Sequence, residues 1–254
     1  MGHVAIVTGS TQGIGAGIAQ EFASHGAHVV FHGLNSHGKS AERLAASIRA
    51  FGSDNLVVTG NLREEKQCRK LVRSAVNHFG RLDILVNNAA AVHRGNIENT
   101  TVGMWDEIFA TNLRAIFILC QESVKPMIQQ KGGCIINIGS VLAHVGMSKL
   151  LSYSTSKGGM MTFTKNLAHY LTRYRIRVNQ INPGWVLTEG EHYVQSEVEG
   201  RGEHWLDEAV KTRPFGRMLL PEDIAKAAMF LATNELITGA ILDYEQVAFD
   251  AMPG

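Results

Sequence analysis

Seven short Val/Ile/Leu-rich runs, at residues 3–7, 28–31, 56–59, 84–86, 134–138, 177–181 and 240–242, constrain this chain more than any other feature. Between them, stretches 13–25, 39–51, 64–79, 104–130, 152–174 and 221–232 place apolar residues at three- and four-residue spacing. Strand-like runs alternating with helical periodicity require crossover connections, so the strands lie parallel in one sheet with helices on both faces. The pattern predicts a doubly wound α/β fold with a seven-stranded parallel sheet. Pro221 followed by Glu222 and Asp223 marks a helix start, since proline loses nothing in the first turn and carboxylates suit its positive end. No Pro/Gly/Ser-rich linker or internal repeat divides the pattern, and one domain over residues 1–254 is expected. The polar segment 188–217 interrupts the last crossover and is a candidate substrate lid.

Composition narrows the partners. A hydrophobic fraction of 45% with 19% charged residues suits a globular body with a substantial core. The net charge is +1 and basic residues are scattered, so neither nucleic acid nor a membrane surface is expected as a partner. Cys68, Cys120 and Cys134 lack the close spacing of a thiolate metal site or a disulfide framework, and the eleven histidines form no compact ligand pattern; no metal is expected. With no charged leader and no apolar run of bilayer length, a cytoplasmic protein is expected.

After the first strand comes Thr8-Gly9-Ser10-Thr11-Gln12-Gly13-Ile14-Gly15, opening a helix. Glycines there let backbone approach a pyrophosphate, whose charge is stabilised by free N–H groups at the helix start, so this Rossmann-type turn points to a dinucleotide. At the end of the second strand, His32-Gly33-Leu34-Asn35 offers neither a carboxylate for ribose hydroxyls nor an arginine for an extra phosphate. Gln12 is also neutral. The lack of a cation favours NAD over NADP, with Lys39 expected to be a solvated first-turn side chain.

Tyr153 and Lys157, four residues apart on a helix, project from one face. A tyrosine ionises near pH 10, and an adjacent ammonium is expected to lower that value towards the working range of a proton-transfer group. Ser140 follows a strand and stands where open sheets place ligands, able to orient a substrate oxygen. Asn112 lies inside the 104–130 helix, where its amide competes with the backbone; a functional kink and a satisfied core amide are both open readings.

These motifs, in this order, resemble the short-chain dehydrogenases/reductases over nearly the whole chain: the glycine loop, Asn87-Asn88-Ala89-Ala90 at a strand end, and Ser140, Tyr153 and Lys157. The resemblance implies hydride transfer between a nicotinamide and an alcohol or carbonyl. Tyr153 is then the general acid/base, Lys157 also holds the nicotinamide ribose, Ser140 polarises the substrate oxygen, and Asn112 anchors a relay water. It further implies cofactor contacts from Gly9, Thr11, Gln12, Gly13, Ile14, Gly15, Gly33, Leu34, Asn61, Leu62, Asn88, Ala89, Ala90, Pro183, Gly184, Val186 and Thr188. A homotetramer or homodimer built on the 104–130 and 152–174 helices is also implied; Ile116, Phe117, Met160 and Phe163 there suit either an interface or packing within one subunit. Three departures stand out: Ala90 replaces a glycine, Asn61 replaces an aspartate, and Asp243-Tyr244-Glu245-Gln246 replaces an Asp-Gly-Gly ending, which is expected to alter subunit contacts.

The family's pocket segments carry His93, Arg94, Leu142, His144, Trp185, Glu189, Glu191 and His192. Hydrogen-bonding groups with Trp185 as a flat wall suit a sugar or polyol. A 3-oxoacyl or hydroxy-acid substrate, or a nucleotide sensor without catalysis, are the alternatives; apolar Leu142 and Leu150 weigh against a carboxylate cradle, and the intact acid/base set weighs against a sensor.

Overall fold

The structure is a computed structural model that describes residues 2–34 and 39–247. The expectations for Asn35 and for the Lys39 side chain fall outside these residues. The strands are Val4–Val7 (β1), His28–Gly33 (β2), Asn55–Thr59 (β3), Ile84–Asn87 (β4), Gly133–Ile138 (β5), Ile176–Pro183 (β6) and Ile241–Tyr244 (β7). They form one parallel sheet in the order β3-β2-β1-β4-β5-β6-β7. A strand covered on both faces must be apolar throughout, and β1 is buried at all four positions. The order reverses beside β1, between β2 and β4, which opens a crevice at the carboxyl ends of the strands, the place where such sheets bind ligands.

The helices are Gly13–Ser24 (α1), Lys39–Ala50 (α2), Glu65–Phe79 (α3), Val102–Phe109 (α4), Ala115–Gln129 (α5), Leu151–Leu171 (α6), Glu189–Tyr193 (α7), Trp205–Lys211 (α8) and Pro221–Thr233 (α9). α1, α2 and α9 cover one face with Ile18, Phe22, Ile48, Ile224 and Leu231. α3, α5 and α6 cover the other with Leu71, Ile116, Leu119, Met160 and Leu171. Each such buried side chain contributes roughly 1.5–3 kcal/mol. α9 starts as expected: Pro221 stands in its first turn, and the Asp223 carboxylate accepts from Leu220 N at 2.9 Å.

Two expectations change. The single helix over 104–130 is broken by a π-helical turn, Ala110–Arg114, which carries Asn112. The 188–217 segment is not uniformly polar: fully buried Trp205 packs with Ala209 and Met218, and Trp185 and Leu187 close over them. A short lid needs its own apolar anchor to hold a shape, because backbone ordering costs about 1–2 kcal/mol per residue. Of the proposed interface residues, Ile116 and Met160 pack inside the chain and Phe163 is half-buried, while Phe117 remains 49% exposed.

Candidate active site

The loop after β1 is built for close backbone approach. Gly9 and Gly13 take φ +60° and +57°, the left-handed region that other residues rarely adopt. Thr8 Oγ1 accepts from Asn88 N at 2.9 Å and Ala89 N at 3.0 Å, and Asn88 Nδ2 donates to the carbonyls of Thr8 and Gly9 at 2.9 and 3.0 Å. A Cβ on Gly15 would stand 2.5 Å from both Asn88 Nδ2 and Gly9 O, so the loop and the β4 end interlock only around glycine. Gln12 provides no side-chain cap and the first turn of α1 holds no carboxylate, which leaves its N–H groups for an anion. This cradle fits a dinucleotide pyrophosphate. Thr188 arrives from the far end of the chain, its methyl 3.5 Å from where a Gly13 Cβ would be, while its hydroxyl accepts from Glu191 N at 3.0 Å and caps α7. Gly33 lies against Thr11; Leu62 and Val186 are buried behind the crevice, Leu34 is exposed, and Asn61 Oδ1 accepts from Arg63 N and Nε.

Two residues here escaped sequence reasoning. A cleft of about 910 Å³ beside the loop is lined by Thr11, Gln12 and Gly13 together with Ser40 and Arg43 of α2, and by Glu189 and Glu222 on its other wall. Arg43 therefore places a cation where none was expected; its signal was the Ser40-Arg43-Leu44-Ser47 spacing, one face of α2. His32 is buried, with Nδ1 accepting from Gly9 N at 3.4 Å and Nε2 donating to Gly60 O at 2.9 Å. Burial lowers its pKa, so the neutral ring ties the glycine loop to the end of β3.

Ser140, Tyr153, Lys157 and Asn112 converge at the carboxyl end of β5. Asn112 Oδ1 accepts from Ala91 N at 2.7 Å, and its Nδ2 donates to Ala91 O at 2.9 Å and Ser156 Oγ at 3.2 Å. The amide is therefore satisfied, as one of the two readings expected, and it sits on a π-helical turn of the helix. Lys157 is buried and donates from Nζ to Ile138 O at 2.7 Å, with Nζ 5.5 Å from the centroid of the Tyr153 ring. The expected lowering of the tyrosine is reversed. Burial pushes the Tyr153 phenol up to about 12; the Ser140 hydroxyl opposes this by favouring the phenolate, and the charge of Glu191 adds to the rise. Burial also brings Lys157 down to about 7, because its one polar partner is a neutral carbonyl. A half-neutral lysine is a weak source of field, so desolvation wins.

Comparison with known proteins agrees with this geometry. Residues 9–245 match the family model described as enoyl-(acyl carrier protein) reductase. A probable tetrahydroxynaphthalene reductase of Zymoseptoria tritici is 36% identical over 255 residues, covering 97% of this chain and 94% of its own. A Serratia marcescens short-chain dehydrogenase/reductase superposes with TM-score 0.87 at 34% identity, covering 97% of each chain. The chain belongs to the short-chain dehydrogenase/reductase family. A 3-oxoacyl-(acyl-carrier-protein) reductase from Agrobacterium tumefaciens, with NADP bound, is 28% identical with TM-score 0.87, covering 96% of this chain and 93% of that one. As a family member, this protein is an oxidoreductase of carbonyl and CH–OH groups that uses a nicotinamide cofactor.

Around the dehydrogenase/reductase quartet, the expected substrate side is rearranged. Leu142 stays beside Ser140, its N–H donating to Ser140 Oγ at 3.2 Å. His144 instead pairs with Asp243 of β7 at 2.8 Å, and Glu189 lines the cleft beside the glycine loop. Trp185 is not an open wall: Arg201 and Arg213 lie over its ring at 5.9 and 5.5 Å, and Trp205 packs at 5.8 Å. Its Nε1 donates to Glu191 Oε1 at 2.7 Å, which also accepts from Gln195 Nε2 at 2.7 Å. Glu191 is thus held by Trp185 and Gln195, and its charge is felt at the Tyr153 phenol. His192 accepts from Trp205 Nε1, and His93 sits 3.3 Å from Glu107. Arg94 and Lys149 meet Glu199 at 3.0 and 3.7 Å, joining the 188–217 segment to the loop after β4 and the approach to α6. The unusual ending turns inward: Glu245 Oε2 accepts from Trp185 N at 3.1 Å, and Gln246 bonds Phe215 N and Arg217 O.

Among the described residues, no helix is long and apolar enough to cross a membrane, and no three His/Cys/Asp/Glu side chains group as a metal site. The three thiols are buried and unpaired, with burial raising Cys68 and Cys134 to about 11 and Cys120 to about 12.

Proposed function

We propose that this protein is an NADP(H)-dependent reductase of polyhydroxylated carbonyl compounds, of the sugar or polyol class. The observation that carries the reading is the convergence of Ser140, Tyr153 and Lys157, with Lys157 Nζ 5.5 Å from the Tyr153 ring; burial raises the phenol and keeps it protonated. A protonated phenol is an acid ready to donate to the oxygen of a carbonyl as it becomes an alkoxide. In this reading Ser140 holds that oxygen, Tyr153 gives it a proton, Lys157 positions the ribose side of the site, and Asn112 fixes the loop at Ala91 against α6. The bound nicotinamide supplies the hydride.

Glu191 supports the substrate class. Its Oε1 is occupied by Trp185 and Gln195, and its charge reaches the Tyr153 phenol. A carboxylate whose charge reaches the acid/base group can accept from substrate hydroxyls and repels a substrate carboxylate, which disfavours hydroxy acids. The tetrahydroxynaphthalene reductase relative is named for a hydroxylated aromatic, which is why hydroxylated aromatic ketones stand beside sugars in the test. Arg43 supports NADP, because a cation beside Thr11 and Gln12 offsets the charge of an added phosphate; this replaces the preference for NAD. Exposed Phe117 on α5 supports a homodimer or homotetramer.

The test is oxidation of NADPH and NADH by purified protein against sugars, hydroxylated aromatic ketones, 3-oxoacyl thioesters and simple ketones, with Tyr153→Phe as control. Tyr153-dependent turnover fastest with NADPH and a hydroxylated ketone is expected. Turnover confined to acyl thioesters would replace the substrate class, and nucleotide binding without any turnover would overturn the reading.

A further inference from the structure

A line of buried amides crosses the sheet beneath the site. Asn87 Nδ2 donates to Asn137 Oδ1 at 2.8 Å, and Asn137 Nδ2 donates to Thr164 Oγ1 at 2.8 Å. Thr164 Oγ1 stands 3.0 Å from Gln180 Oε1, and Gln180 Nε2 donates to Asn182 Oδ1 at 2.7 Å. Asn137, Gln180 and Asn182 are fully buried. Burying so many amides costs free energy unless each is bonded, and an apolar filling of the same volume would be simpler. The line ends on two partners, buried Ser140 and exposed Asp243. Asn182 Oδ1 also accepts from Ser140 N at 3.2 Å, and Asn182 Nδ2 donates to Asp243 Oδ1 at 2.8 Å. Asp243 Oδ1 is held in turn by His144 Nε2 at 2.8 Å. Gly139, the residue before Ser140, completes the fit: a Cβ there would collide with Asn182 Oδ1 and Gln180 Nε2.

We propose that Asn182 is a positioning residue for Ser140, clamped between Asp243 and the Ser140 backbone N–H. It touches neither substrate nor cofactor in this role. Asp243, accepting from Nδ2, and Gln180, donating to Oδ1, together hold the amide group in the orientation that presents Oδ1 to Ser140, with His144 Nε2 a further 3.3 Å neighbour of Nδ2. The bare backbone of Gly139 lets that oxygen reach in. The arrangement explains why His144 and Asp243 face each other across β6. The inference rests on the reading of Ser140 as the group that holds the substrate oxygen.

The experiment uses the intact protein with Asn182→Ala, Asp243→Ala and Asp243→Asn. Three quantities are read for each: amide hydrogen exchange of the segment around Ser140, kcat and KM for the carbonyl substrate, and the Kd for NADPH. In Asn182→Ala, exchange at the Ser140 amide speeds up at least about tenfold as its acceptor disappears. A misplaced serine then lowers kcat by about 10- to 30-fold, with KM and the cofactor Kd held within about twofold. Asp243→Ala, at a partly exposed position that tolerates truncation, reproduces a smaller loss of about threefold in kcat with faster exchange. Asp243→Asn keeps an acceptor for Asn182 Nδ2 and restores both readouts. Unchanged exchange and kcat in Asn182→Ala, or equal behaviour of the two Asp243 variants, would overturn the proposal. If the parent protein shows no Tyr153-dependent turnover, the proposed function fails, while exchange at Ser140 still decides whether Asn182 holds it.

Discussion

Replacing Lys157 by methionine removes a buried amine while keeping the length of the side chain. Burial brings this lysine from 10.5 to about 7, a change in proton affinity corresponding to about 5 kcal/mol of differential solvation. The sign follows from linkage. Below pH 7 the folded protein must hold the ammonium in its core, and the full cost is present. As pH rises from 7 to 10.5 the folded state sheds the proton while the unfolded chain keeps it, and the cost fades. Lys157→Met removes that cost but leaves the Ile138 carbonyl without its 2.7 Å donor, a loss of about 1–3 kcal/mol. The variant is therefore expected to be more stable than the parent by about 2–4 kcal/mol at pH 6.5, with the gap closing by pH 10. If Lys157 positions the ribose side of the site as proposed, turnover should fall at least about a thousandfold. Urea unfolding at a series of pH values, without added nucleotide, measures the gap directly. A variant less stable than the parent at pH 6.5, or a gap that does not narrow with pH, would refute the assignment of a desolvated lysine.

Three further outcomes are expected. Gly15→Ala puts a methyl 2.5 Å from the Gly9 carbonyl and Asn88, so NADPH binding, followed by nucleotide fluorescence, should weaken about 100-fold or more. Arg43→Ala should raise the Kd for NADPH about 3- to 10-fold and leave that for NADH unchanged; equal effects on both would remove Arg43 from the phosphate site. Burial of Glu122 pushes its pKa up, but hydrogen bonds from Lys125, Arg73 and Arg69 outweigh it and hold the group at about 2. Its stabilisation is present above the ordinary 4.5 and is lost as pH falls towards 2, so Glu122→Gln should cost roughly 2 kcal/mol at pH 7 and almost nothing near pH 2 by thermal unfolding.

The strands, most helices and the Tyr153–Lys157 pair were legible in the sequence because each depends on a local period: two residues in a strand, or three to four in a helix. The glycine loop was legible for a similar reason, since its backbone shape needs glycine whatever surrounds it. Asn112 was half legible, as an amide awkward in a helix; its π turn and its bonds to Ala91 and Ser156 were visible only in the structure. The substrate side was less so. Trp185 read as an open wall until Trp205, twenty positions along, and two arginines closed over it. For His144, read as a pocket residue, the pairing with Asp243 across β6 was not legible.

The same division governs the electrostatics. An i, i+4 spacing brings an ammonium near a phenol, but whether it lowers or fails to lower the phenol's pKa depends on how much water the fold removes from both. Here the fold buries Lys157 against a carbonyl and raises Tyr153 instead. What the sequence by itself determined was the order of elements and the residue types at their ends, because local backbone preference and periodicity act over a few residues. What only the tertiary structure decided was which side chains from distant segments meet, and with them the solvation, charge and partners on which the chemistry depends.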